Sequence, residues 1–251
     1  MNSRRIAHAG VGWALLACAW EALGHFDVLG KTFPALSQVL HVFAEAPRRA
    51  LLLRSSAATL NSAVTGYTAG IFLGVGVALL AHLVPLLRGG LDRLAVLANA
   101  LPVIAIAPVL IITAGREDTP AVLASIPVSF IIYGATGAGL ASAGERLDML
   151  LTALGANRWQ RLVKLEAIAA LPHLLRGMKL SAGSAMIGAI IGEWFGAPSG
   201  LGVVVLNSMQ NFQISLLWAA CSVITALTLA AYGLLTLGER MVRGRLGECG
   251  D

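Results

Sequence analysis

Apolar residues in this chain fall in long unbroken runs, not in alternation. Six such segments stand at about 10–28, 60–83, 94–114, 120–141, 180–198 and 214–238. Each is close to the roughly 20 residues a helix needs to cross the hydrocarbon of a bilayer. A barrel strand would show alternating hydrophobicity over about ten residues, so the pattern predicts spanning helices. Glu21, His25 and Asp27 interrupt the first run. Between the first and second runs, Leu36–Leu53 is expected to form a short amphipathic helix lying along the membrane surface, its arginines among the headgroups.

Small residues mark where helices should touch. Gly66, Gly70 and Gly74 form a tandem GxxxG series in the second run, and Gly188, Gly192 and Gly196 form another in the fifth. In lipid, close backbone approach at small residues holds helices together. Pro102, Pro108, Pro120 and Pro127 cluster in the third and fourth runs. A proline removes a backbone donor, and freed carbonyls at membrane depth are tolerated where they line a cavity or pack inside protein. Plain kinks satisfy the same pattern. Pro102 and Pro108 are therefore candidates for a translocation path.

One polar island, Ser142 to Lys179, separates the fourth run from the fifth. It holds Arg146, Arg158, Arg161, Lys164, Arg176 and Lys179, together with an ordered set of helix signals. Leu147, Leu150, Leu151 and Leu154 recur at three and four and give one apolar helix face. Gly155 then supplies a C-terminal stop. Asn157 follows as an N-cap with Gln160 three residues on, in capping-box register. The second helix is expected to run from Arg158 towards Leu171 and to end or kink at Pro172. Arg158, Trp159 and Arg161 project near the Gly155-Ala156-Asn157 corner, and Trp and Arg are the side chains most enriched at interface hot spots. A structured basic loop of this length implies a docking partner.

Composition agrees with a membrane chain: 57% of the 251 residues are hydrophobic and 12% charged, with mean hydropathy +0.78. A soluble globular protein is about 25% charged. The net charge of +5 is read as arginine retained on one side of a membrane, not as nucleic-acid binding. With the N-terminus inside, the inner segments carry 13 of the 18 Lys and Arg residues, which favours both termini in the cytoplasm. Lys31, Arg48, Arg49, Arg54 and Arg116 fall outside. Cys18, Cys221 and Cys249 are widely spaced and suggest neither a disulfide framework nor a metal site. The five histidines show no metal-ligand spacing. Gly24 to Thr32 is one residue too long for a phosphate-binding G-x4-G-K-T loop and lacks the preceding strand.

Glu193, beside Trp194 near the end of the fifth run, is an intramembrane carboxylate. Such groups are costly and often functional, so both residues are candidates for a gate or solute contact, against a structural hydrogen bond. Glu21 is open to the same two readings.

The run LTALGANRWQRLVKLEAIAALP, residues 151–172, resembles the cytoplasmic EAA loop of importer-type ABC transporter permeases. Gly155 matches the glycine of that motif, Ala156, Arg158, Trp159 and Gln160 its continuation, and Ala170-Leu171-Pro172 its end. Trp20-Glu21, Phe33-Pro34-Ala35, Leu101-Pro102, Ala107-Pro108, Gly192 to Ala197 and Gly200-Leu201-Gly202 look like the sulfonate, taurine and nitrate branch. Met149, Leu150 and Leu151 stand where that family has Glu-Ala-Ala, so Asp148 or Glu145 would have to replace the missing carboxylate.

The resemblance implies an all-α polytopic membrane protein of about six transmembrane helices with the type I importer permease fold. Residues 1–58 would hold the first helix and the surface helix. Residues 59–245 would form a five-helix core with the coupling loop at 142–179. The implied location is a bacterial cytoplasmic (inner) membrane. The implied partners are an ABC ATPase subunit dimer, a second permease chain forming a homodimer, and an extracytoplasmic substrate-binding protein. ATP and Mg would sit on the ATPase, with no cofactor on this chain, which would not be an enzyme. Leu154, Gly155, Ala156, Asn157, Arg158, Trp159, Gln160 and Arg161 would make the ATPase contact, and the solute would be a small anion. An ion-coupled carrier would need internal repeats and midplane charges, and a membrane-embedded enzyme a convergent acid/base set. The sequence offers neither pattern.

Overall fold

The computed structural model describes residues 3–26, 28, 30–100 and 102–245. Asp27, Leu101 and Cys249 lie outside the described residues, as do the side chains of Arg4, Arg5, Glu145, Arg146, Arg243 and Arg245. Within them the chain is helical throughout: α1 (Ser3–His25), α2 (Leu36–Ala44), α3 (Ala46–Leu83), α4 (Pro85–Ala100), α5 (Val103–Ala114), α6 (Thr119–Ala141), α7 (Glu145–Ala153), α8 (Arg158–Arg161), a π-turn over Leu162–Glu166, α9 (Ala167–Trp194), α10 (Leu201–Gln210) and α11 (Ile214–Arg245). Among the described residues four helices are long and apolar enough to cross a membrane: Ala46–Leu83, Thr119–Ala141, Arg158–Trp194 and Ile214–Val242.

The core is built on α6, which lies between α3 and α9. The glycine series expected to mark helix contacts does so. A Cβ on Gly70 would stand 2.7 Å from the Ser125 carbonyl oxygen, and one on Gly74 2.5 Å from that of Ser129. On the opposite side of α6, a Cβ on Gly192 would fall 2.4 Å from the Pro120 Cα. At these points backbone meets backbone with no side chain between. Leu123, Ala124, Val128 and Ile132 of α6 are fully buried in the seam. Gly196 takes no part in it: its φ is +106° and it lies just past α9.

Several boundaries differ from the sequence reading, each for a local reason. The expected helix Leu36–Leu53 is two pieces, because Glu45 is extended (φ −75°, ψ 115°) and Pro47 opens a new helix, as suits a first-turn proline. The second piece continues into the second span, so α3 has 38 residues, or about 57 Å at 1.5 Å per residue. It runs without a break through position 58. The third expected span, 94–114, divides into α4 and α5, with Pro102 extended at the α5 N-cap (φ −67°, ψ 113°) and Pro108 inside that helix. Pro172 neither ends nor separates a helix. Residues Arg158–Trp194 form one 37-residue helix, in which the proline forfeits a single backbone bond while α6 packs alongside. α10 was not anticipated as a separate element.

The first helix is held by polar and aromatic contacts. The Trp20 indole donates to the Pro34 carbonyl at 3.1 Å, and Glu21 accepts from the Ser37 backbone N–H at 2.9 Å and its hydroxyl at 2.7 Å. Glu21 thus caps α2. Trp20, Phe33 and Trp218 close a ring cluster with centroids 5.0–5.8 Å apart. At the other end, Lys179 of α9 pairs with Glu239 of α11 at 2.7 Å.

Gly70→Leu should lower the melting temperature of the detergent-purified chain, by about 1–3 kcal/mol of overpacking. Gly76→Leu, where a Cβ meets nothing within 4 Å, should leave it unchanged. Equal melting points for the two variants would exclude the α3–α6 seam as the core contact.

Candidate functional site

Two clusters stand at opposite ends of the bundle. At one, the polar island folds as the sequence signals specify. α7 ends in a Schellman turn: Gly155 has φ +78°, its N–H reaches the Thr152 carbonyl at 3.0 Å, and the Ala156 N–H reaches Leu151 at 2.9 Å. A residue with a Cβ pays for that left-handed conformation. The next helix opens with both halves of a capping box. Asn157 Oδ1 accepts from the Gln160 N–H at 2.9 Å, and Gln160 Oε1 accepts from the Asn157 N–H at 2.9 Å.

Both arginines of the corner have protein partners. Arg161 donates through Nη1 to both Asp148 oxygens at 3.1 and 3.0 Å and to the Thr152 hydroxyl at 3.3 Å, which locks α7 against α8. Arg158 donates through Nη2 to the His82 carbonyl at 3.0 Å, filling an acceptor in the last turn of α3. The His82 ring meets Glu166 at 2.7 Å. Asp148, a possible replacement for the carboxylate missing at Met149, is therefore a strut inside the loop.

Several large apolar side chains point outward here, beside polar ones that include Lys164. Leu154 is 73% exposed and Trp159 65%, and Leu147, Met149, Leu150 and Val163 are each more than half exposed. So Leu154 and Trp159 stand out as expected, while Arg158 and Arg161 serve as braces. Ala156 lies half-buried at the base of the turn. Beside the corner, a cavity of about 230 Å³ opens near His82, Arg88, Asp92 and Tyr133, where the Tyr133 hydroxyl donates to Asp92 at 2.5 Å.

At the far end lies Glu193, 1% exposed. Its Oε2 accepts from the Gly202 N–H at 2.6 Å, and Thr59 Oγ1 accepts from the Leu201 N–H at 2.8 Å. Together they cap the N-terminus of α10, where free N–H groups and the helix dipole favour a negative charge. Gly200 makes this possible: its φ is +141°, and a Cβ there would overlap the Glu193 carboxyl carbon at 2.2 Å. Trp194 is partly exposed at the end of α9, and Pro102 and Pro108 lie exposed on α5. The four candidates for a path or gate do not converge on the corner. Sequence reasoning missed Thr59 and α10. The glycines flanking Leu201, next to a buried carboxylate, were the available signal for α10. Thr59, 142 residues from Leu201, carried none.

This bundle of packed apolar helices with a braced two-helix corner is that of a multi-pass membrane protein. Residues 66–244 match the family of binding-protein-dependent transport system inner membrane components, and the chain belongs to it. It is an ABC importer permease subunit. Over 232 residues it is 30% identical to the riboflavin transport system permease protein RibX of Chloroflexus aurantiacus, covering 91% of this chain and 86% of that protein. It is 31% identical to the formylaminopyrimidine transport permease protein ThiX of Halalkalibacterium halodurans, covering 62% and 63%, and 26% identical to the taurine transport system permease protein TauC of Escherichia coli, covering 93% and 86%. A chain of the inward-facing MetNI methionine ABC transporter shares the fold, with TM-score 0.68 at 16% identity over 79% of this chain and 99% of that one.

Replacing Glu193 by Ala should destabilise the purified chain by about 1–3 kcal/mol, the cost of a buried N–H left unpaired. Glu193→Gln, which keeps an acceptor oxygen, should melt between the alanine variant and the wild type. An alanine variant that melts with the wild type would remove the capping role.

Proposed function

We propose that the 154–161 corner is the coupling element through which a separate ATPase subunit drives this permease. The single observation carrying this reading is the exposed apolar pair Leu154 and Trp159, held on a corner that Asp148–Arg161 and Arg158–His82 make rigid. An exposed apolar patch on a braced support marks an interaction site. ATP and Mg belong to the ATPase dimer, and this chain supplies the path and the lever. The path forms with a second copy of the chain, and an extracytoplasmic binding protein delivers the solute. Both termini and the corner face the cytoplasm, as the distribution of arginine favours. The far end, with α10, faces outward. Pro102, Pro108, Glu193 and Trp194 belong to or beside the path.

For the solute, resemblance to the sulfonate, taurine and nitrate branch supports a small anion, and TauC is named for taurine. A second reading, a flat heterocycle, is favoured by RibX and ThiX, named for riboflavin and formylaminopyrimidine, at 30% and 31% identity.

A Leu154→Asp, Trp159→Ala double variant should fail to co-purify with its co-expressed ATPase subunit, while its elution and melting match the wild type. Two interface anchors worth about 2 kcal/mol each correspond to at least a 30-fold loss of affinity. Undiminished capture would overturn the coupling reading. Gly155→Val should separate two activities in the assembled complex: ATP hydrolysis continues while solute uptake falls at least about tenfold, because a β-branched residue at φ +78° costs about 1–3 kcal/mol and loosens the corner. Uptake and hydrolysis both at wild-type rates would sink it.

A further inference from the structure

At the far end, α3, α10 and α11 enclose a second recess, of about 270 Å³. At roughly 30 Å³ per water molecule this is room for about nine waters, enough for a solute of one ring or two fused rings. Its walls are of two kinds. Leucine and valine side chains of α3, α10 and α11 supply apolar faces, and Ser55, Ser199, Asn207, Ser208 and Gln213 supply hydrogen-bonding groups. Ser208 is 1% exposed, yet its hydroxyl has no hydrogen-bond partner. A buried hydroxyl without a partner is uncommon and costly, and Ser208 is among the residues that line the recess.

Among the described residues no charged one lines the recess. The N-terminus of α10 beside it is already capped by Glu193 on the Gly202 N–H and by Thr59 on the Leu201 N–H. Arg48, one helical turn before the lining residue Leu51, is paired with Glu45 at 3.0 Å. An anion entering here would lose its hydration with no cation among the lining residues in return, which is heavily penalised. A neutral ring fits the walls: its faces lie on the leucines and valines, and its edge groups pair with the serines and amides.

We propose that this recess binds a small, flat, uncharged heterocycle that carries both hydrogen-bond donors and acceptors. The inference rests on the second solute reading above and assigns the site at which such a solute is met. It also gives Glu193 a role towards the solute at one remove, as the group that caps α10 and holds it in place.

The test uses the full chain in lipid nanodiscs, with radiolabelled uracil and taurine as probes in equilibrium dialysis. Uracil should bind with a dissociation constant of about 1 mM, in the range of weak small-ligand contacts, and taurine should neither bind nor displace it. Ser208→Val and Asn207→Leu should each weaken uracil binding about tenfold, the effect of one lost hydrogen bond. Asn207 is exposed, so its variant reads the site even if Ser208→Val does not fold. Absence of uracil binding up to about 10 mM, displacement by taurine, or binding unaffected by either folded variant would overturn the proposal. Uptake of labelled uracil by the assembled transporter reports separately on the solute reading: uptake without binding to the purified chain removes this site and keeps that reading, and absence of both removes both.

Discussion

The contact of bare backbone with bare backbone on both sides of α6 is what the remaining geometry hangs on. In a membrane no water is released when two helices meet, so attraction comes from van der Waals contact at short range. The glycines of α3 and α9 give up side chains to gain that range. α6 thereby becomes the fixed reference for two helices of 38 and 37 residues, whose ends carry both functional clusters. Without this seam, the His82 carbonyl would have no set distance from Arg158, and Thr59 none from Leu201.

The second consequence is continuity. From Arg158 to Trp194 the chain is one helix, passing a π-turn and Pro172 without interruption. Its first turn carries the capping box of the corner, and its last turn carries Glu193, which holds α10. A helix about 55 Å long by its rise per residue therefore has one cluster on each tip. Continuous helical main chain joins the two clusters, with no loop between them.

The parts legible in the sequence were those written in short-range code. The Gly155 stop and the Asn157–Gln160 box depend on residues within six positions of each other and appear as read. The GxxxG series named the touching faces because close approach tolerates few other residues. Boundaries were harder, since an apolar run does not say where a helix stops. Pro102 and Glu45 interrupt helices, whereas Pro172 does not, and the difference lies in what packs alongside. The bonds that Arg158 and Arg161 make were not foreseen, because a guanidinium looks the same in sequence whether it faces a partner or a carbonyl 76 residues away. The α10 cap joins three segments distant in the chain, and no local pattern encodes such a meeting.

The Arg158 brace has one further property. It grips the main chain of α3 at His82, not a side chain. Every amino acid offers the same carbonyl, so position 82 is free to vary without breaking this strut, and all the constraint falls on the arginine. The His82–Glu166 contact is the opposite case, requiring a matched pair. The corner is thus tied to the bundle by one bond that drift in α3 cannot remove and by another that it can. A descendant of this chain could retune the second while the first keeps the lever attached.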